Sequence, residues 1–209
     1  MKKTTGCVVS VLGLLWLLPT LSLNNRTALA FEPTSIFRYG QQSIGIAGGH
    51  GLALPIGGTG GGDLRDVQFL YLAPRWGIGL SDPKGENSWY RGNFELVVEG
   101  TFLYGFEPKN GIAGGITPLF RYNFLAGDHL IPFVQVGAGI LALDFDLRRQ
   151  ADGINFTPQA GLGFHYFLSE RTALTGEWRY HHISNAGIHQ ANSGINSSVV
   201  LFGVTVFLK

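Results

Sequence analysis

Leu174-Thr175-Gly176-Glu177-Trp178-Arg179-Tyr180-His181 is the stretch that decides the fold. Successive residues of a strand point to opposite faces, so it divides into Leu174, Gly176, Trp178 and Tyr180 on one side and Thr175, Glu177, Arg179 and His181 on the other. A soluble lipocalin-like barrel would turn the apolar face inward, whereas a membrane barrel turns it outward and keeps its polar residues in the lumen. Glu177 and Arg179 beside Thr175 suit a paired, polar interior. That leaves Leu174, Trp178 and Tyr180 for lipid, with the two aromatics available for an interfacial girdle. The last segment agrees, since Val200, Phe202, Val204 and Val206 form one apolar face and Gly203 and Thr205 lie on the other. The soluble barrel stays open as the structural alternative.

Working outward, the same period-two reading gives eight segments, at about 39–54, 65–80, 90–106, 111–126, 130–145, 154–168, 171–184 and 195–208. Stretches rich in Gly, Asn, Asp, Pro or Ser separate them, among them Gly57–Asp63, Ser81–Asn87, Asp146–Gly153 and Asn185–Gly194. An even number of strands fits a barrel with both termini in the periplasm, short turns there and longer loops outside after strands one, five and seven. Gly127–Asp128 and Ser169–Glu170 are short as expected, and Ser81–Asn87 is longer. The chain ends Val206-Phe207-Leu208-Lys209, which displaces the usual closing aromatic from the last position.

Composition bounds the class. The 209 residues include 31 glycines, 12% aromatic and only 14% charged residues. Lys2 and Lys3, an apolar run from Val8 to Leu23 and Ala28-Leu29-Ala30 read as a secretory signal peptide over residues 1–30, cleaved to leave 31–209 as one barrel domain. A retained anchor is the competing reading, which Pro19 and the A-x-A site disfavour. Beyond residue 30 no apolar run is long enough for a spanning helix, and a closed barrel is the other way to satisfy backbone groups in lipid. Without Lys2, Lys3 and Arg26 the 15 basic residues fall to 12 against 14 acidic, which leaves no electrostatic footprint for nucleic acid. The single cysteine, Cys7, lies inside the signal, so thiol chemistry and Cys-based metal sites are excluded from the mature chain.

One segment carries chemistry: Tyr180-His181-His182-Ile183-Ser184-Asn185-Ala186-Gly187, followed by Asn192-Ser193-Gly194-Ile195-Asn196. His182 and Ser184 are two apart, so both project from the face assigned to lipid. Polar groups at membrane depth cost free energy, and a site explains them better than packing does.

Over residues 177–204 the sequence resembles the lipid A 3-O-deacylase family of outer-membrane barrels, also called acyloxyacyl hydrolases. The resemblance rests on the H-x-S-N motif at the end of the penultimate strand of a signal-bearing barrel. It implies His182 as base and Ser184 as nucleophile, with the Asn185 side chain and the Gly187 N–H as the oxyanion hole. Family members carry a Glu as third triad residue twelve positions after the Ser, and Asn196 stands there in this chain. An amide carbonyl can hold an imidazole in the right tautomer but cannot stabilise imidazolium by charge, so an activity deficit is expected. The reaction so implied removes a 3-O-linked hydroxyacyl chain from lipid A in the outer leaflet of the outer membrane. It needs no cofactor and no metal, and Trp178 and Phe202 would receive acyl chains. The implied partners are lipid A or lipopolysaccharide and the membrane, with a homodimer left open.

Blander readings stand beside these. His182 and Ser184 could be a hydrogen-bonded pair terminating a strand in a non-catalytic barrel with a structural, adhesive or porin-like role. His165, His181 and His189 have no zinc spacing. Gly57–Gly62 lacks the Lys and Ser/Thr of a phosphate loop and reads as an outer loop. Asp144, Asp146, Arg148 and Arg149 read as a solvated loop, with sugar phosphates as a second use. Glu177 and Arg179 read as structural.

Overall fold

The computed structural model describes residues 35–57, 61–125 and 127–209, so the expected signal peptide over 1–30 lies outside the described residues. Eight antiparallel strands form a closed barrel in sequence order: β1 (Gln42–Ala53), β2 (Gln68–Gly79), β3 (Gly92–Glu107), β4 (Gly111–Phe124), β5 (Leu130–Asp144), β6 (Gly153–Phe167), β7 (Thr172–Ile183) and β8 (Ile195–Phe207). β1 closes the sheet on β8, from Ser43 opposite Phe207 to Ala53 opposite Ser197. Closure leaves no unpaired edge, which a backbone in hydrocarbon requires. The first outer connection contains a 3-10 turn, Gly62–Leu64.

The two faces sort as the seventh strand requires. Phe202 is 65% exposed and Val136 and Phe120 each 58%, whereas Glu99 and Arg179, pointing into the lumen, are at 0%. A greasy wall around a charged interior is the inverse of a lipocalin, and so large an exposed apolar belt calls for lipid as its solvent. Trp76 and Tyr166, exposed, and Tyr122, half-buried, lie near the strand ends on the side of the chain termini, where an interfacial girdle is expected.

The lumen is filled in three layers. At the end that carries the long loops, Leu64, Phe69, Leu141, Phe145, Ile183 and Ile195 belong to one apolar cluster. At the opposite end Ile36, Phe37, Ile131, Phe167 and Phe207 form a second, with Phe167 stacked on Phe207 at 5.5 Å. Phe207 thus turns inward and plugs the barrel. Between the clusters lies the ionic network that Glu177 and Arg179 foretold. Arg179 pairs with Glu99 at 2.6 Å and with Glu177 at 3.2 Å, Arg75 pairs with Glu99 at 2.8 Å and also bonds Glu177, and Arg121 reaches Glu95 at 3.5 Å. Buried ions need both partners and satisfied hydrogen bonds to be tolerated, and Gln135, Gln159 and Tyr71 supply the latter. Among the described residues these buried side chains fill the middle of the barrel.

Candidate active site

The site forms where β7 runs out and β8 begins, at the end carrying the long loops. Register places His182 directly opposite Asn196, and side chains so paired on one face lie within hydrogen-bonding reach. His182 Nδ1 and Asn196 Oδ1 are 2.7 Å apart, and the Tyr180 hydroxyl donates to the same oxygen. Asn196 Nδ2 donates to the carbonyl of Ile56 at 2.9 Å. That last bond fixes the chemistry. A backbone carbonyl can only accept, so the amide nitrogen must face Ile56 and the amide oxygen must face the imidazole. His182 Nδ1 is therefore a protonated nitrogen, so in the neutral ring the lone pair a base requires is on Nε2.

Gly194 supplies the wall behind the ring. Its φ is +78°, and a Cβ built there would lie 2.7 Å from His182 Cε1. Its N–H donates to Gln150 Oε1 at 2.9 Å, and Gln150 Nε2 donates to Asn155 Oδ1 at 2.7 Å. The β5–β6 loop also joins the β7–β8 loop through Ala151 N to Ala191 O at 2.8 Å and Ser193 N to Arg149 O at 2.9 Å. Three outer connections thus converge on one imidazole.

Ser184 continues the outward face of β7, bridged to Phe156 of β6 by backbone bonds of 2.7 and 3.1 Å. Among the described residues its hydroxyl makes no hydrogen bond to His182. Catalytic hydrogen bonds are commonly long before substrate binds and tighten in the reacting complex. The next residues make a tight turn. Ala186 and Gly187 have φ of +52° and +85°, and Ile188 N donates to Asn185 O at 3.0 Å, a type I′ pattern. Asn185 is buried and organises it. Its Oδ1 accepts from Gly187 N at 2.9 Å, and its Nδ2 donates to Ala191 O at 3.0 Å. Both groups expected to form the oxyanion hole are thus engaged in the turn itself.

On the lipid-facing wall beside His182 runs a groove of about 480 Å³ lined by Val136, Pro158, Ala160, Tyr180, His182 and Asn196. It exists because small residues of β5 and β6 face outward there. It lies on the β5–β6 side of the imidazole, and neither Trp178 nor Phe202, expected to receive acyl chains, lines it. Trp178 instead donates its indole N–H to Ser198 Oγ at 2.8 Å. Among the described residues no group of three or more His, Cys, Asp or Glu side chains is placed to hold a metal ion.

Residues 62–205 match the model of a family described as lipid A 3-O-deacylase (PagL). The chain belongs to the lipid A 3-O-deacylase family. The lipid A deacylase PagL of Pseudomonas aeruginosa is 32% identical over 94 residues, 43% of this chain and 50% of that protein. The chain thus aligns with about half the length of that curated relative. The crystal structure of the outer membrane enzyme PagL superposes with a TM-score of 0.53 at 21% identity, covering 77% of this chain and 97% of that one. Neisserial surface protein A superposes with a TM-score of 0.54 at 15% identity, covering 80% and 97%. These likenesses agree with the outer-membrane barrel, and the deacylase family model reaches across both β7 and β8.

Proposed function

We propose that this outer-membrane barrel is a lipid A 3-O-deacylase that cleaves a 3-O-linked hydroxyacyl ester by a serine mechanism at the outer leaflet. The observation that carries the reading is the pinned amide of Asn196, which holds the proton of the neutral His182 ring on Nδ1 and leaves Nε2 free to act as base on the membrane-facing wall, two residues from Ser184. A histidine held only to end a strand has no need of a fixed tautomer.

In this scheme His182 Nε2 takes the proton of Ser184 Oγ as the oxygen attacks the ester carbonyl, a general-base step worth roughly 10²–10⁴ in rate. The negative charge passes to the carbonyl oxygen, which Gly187 N–H and Asn185 Nδ2 stabilise by exchanging their turn acceptors for it. Collapse expels the sugar 3-oxygen, which takes the proton from His182 and leaves as the hydroxyl. The hydroxyacyl chain is then esterified to Ser184. Water, deprotonated by the same imidazole, hydrolyses that ester and restores the serine. Asn196 holds the ring throughout. The groove along Val136, Pro158 and Ala160 would take the acyl chain while the sugar stays at headgroup level.

One observation favours a non-catalytic barrel, namely the Ser184 hydroxyl unattached to His182. Purified protein in detergent, incubated with lipid A and followed by mass spectrometry, separates the two readings. Loss of one 3-hydroxyacyl group by the native protein and not by Ser184→Ala supports the deacylase, and an unchanged spectrum with both rejects it.

A further inference from the structure

We infer that Tyr180 is a positioning residue of this site, its hydroxyl setting the amide of Asn196 so that the carbonyl stays on His182. The inference rests on the deacylase reading, with Asn196 as the third member. It starts from a conflict of location. Tyr180 lies on the outward face of β7, opposite Ala160 of β6 and Ser198 of β8, and its ring walls the apolar groove. A phenol on a lipid-facing wall needs a partner for its O–H. Its partner is Asn196 Oδ1, the same atom that accepts from His182.

An amide oxygen has two acceptor sites, and here both are filled, one by Tyr180 and one by His182. With Nδ2 bonded to Ile56 O, the amide plane is fixed at three corners. Each corner does something different. Ile56 decides which end is nitrogen, His182 receives the benefit, and Tyr180 fills the remaining site, so that the oxygen has no second direction in which to turn. A carboxylate in the third position would have two equivalent oxygens and would present an acceptor to the imidazole whichever way it rotated. An amide presents one, and a rotation of half a turn would set an N–H against His182 Nδ1. With a neutral third residue Tyr180 therefore reinforces the orientation that Ile56 sets, a hold that a carboxylate would not need.

The test uses Tyr180→Phe in the full chain, which keeps the ring and the groove wall and removes only the oxygen. Deacylation of lipid A in detergent should lose roughly five- to thirtyfold in kcat with KM changed by less than twofold. The unfolding temperature should stay where it is. In parallel, ¹⁵N NMR of the histidines should show the Nδ1–H form of His182 losing population to the Nε2–H form. Restoring a symmetric acceptor with Tyr180→Phe/Asn196→Asp should recover most of the lost kcat. Unchanged kcat and unchanged tautomer in Tyr180→Phe overturn the inference, as does a loss of kcat that merely follows a lowered unfolding temperature. If the native protein shows no Ser184-dependent activity, the deacylase reading fails. The tautomer populations then still decide what Tyr180 does to His182.

Discussion

Asn196→Asp probes the chemistry of the third position most sharply. The substitution is isosteric and exchanges Nδ2 for a carboxylate oxygen while leaving the atom that meets His182 in place. In serine proteases the reverse change lowers kcat by about 10⁴, chiefly because the amide leaves the imidazole in the wrong tautomer. That loss has already been avoided here, since the Ile56 carbonyl turns the amide and His182 Nδ1 is the donor at 2.7 Å. What remains to be gained is the charge term alone. A hydrogen bond to a charged partner contributes about 1.5–3 kcal/mol against about 0.5–1.5 for a neutral one, so the difference is about 1–1.5 kcal/mol. At about 1.4 kcal/mol per factor of ten, kcat should rise about tenfold. The same substitution removes the Nδ2 bond to Ile56 and sets two acceptors against each other, which should lower the unfolding free energy by about 1–3 kcal/mol. Initial rates of 3-hydroxy fatty acid release, with urea unfolding in the same detergent, measure both quantities. A rise of a thousandfold or more would mean that Asn196 does not hold the tautomer. No rise, or a fall, would mean that no imidazolium develops against residue 196, and the reasoning would fail.

Three further outcomes follow from the packing. Gly194→Ala should cut kcat at least a hundredfold with the barrel intact by circular dichroism, because the new methyl lies 2.7 Å from His182 Cε1 and the residue keeps a φ of +78°. Glu99→Ala leaves Arg179 and Arg75 to share Glu177 as their one buried carboxylate and should cost about 3–5 kcal/mol in urea unfolding, whereas Glu170→Ala on an exposed turn should cost less than about 0.5. Ala160→Leu fills the groove beside His182 and should lower activity on long acyl chains more than on short ones, read as kcat/KM across a chain-length series.

The strands were legible because membrane barrels impose one rule on every segment, an alternation that turn residues interrupt. Glu177 and Arg179 fixed which side of β7 is inside, and β7 fixed the rest through pairing. The outward placing of His182 and of Asn196 followed from parity alone. Parity could not supply what depends on cross-strand register. Tyr180 reads in the sequence as one more girdle aromatic, and its bond to Asn196 requires knowing that β8 sets residue 196 opposite residue 182. Trp178 and Phe202 were expected to receive acyl chains, because large apolar residues draw the eye. Grooves form where small ones gather, and Pro158 and Ala160 come together with Val136 only when β5 and β6 are paired. Gln150 carried no signal at all, since nothing local shows that its amide is buried under the β7–β8 loop, holding Gly194 against the imidazole. Phe207 reads in the sequence only as a closing aromatic displaced from the last position; parity with Gly203 and Thr205 turns it inward, and its packing on Phe37 and Phe167 could not be read from the chain.

The most direct measurement is covalent. Native protein mixed with lipid A, quenched in acid within the first turnover and digested, should yield the peptide containing Ser184 heavier by one 3-hydroxyacyl group, and His182→Ala should yield none. Acylation at any other residue, or equal acylation in His182→Ala, would contradict the account.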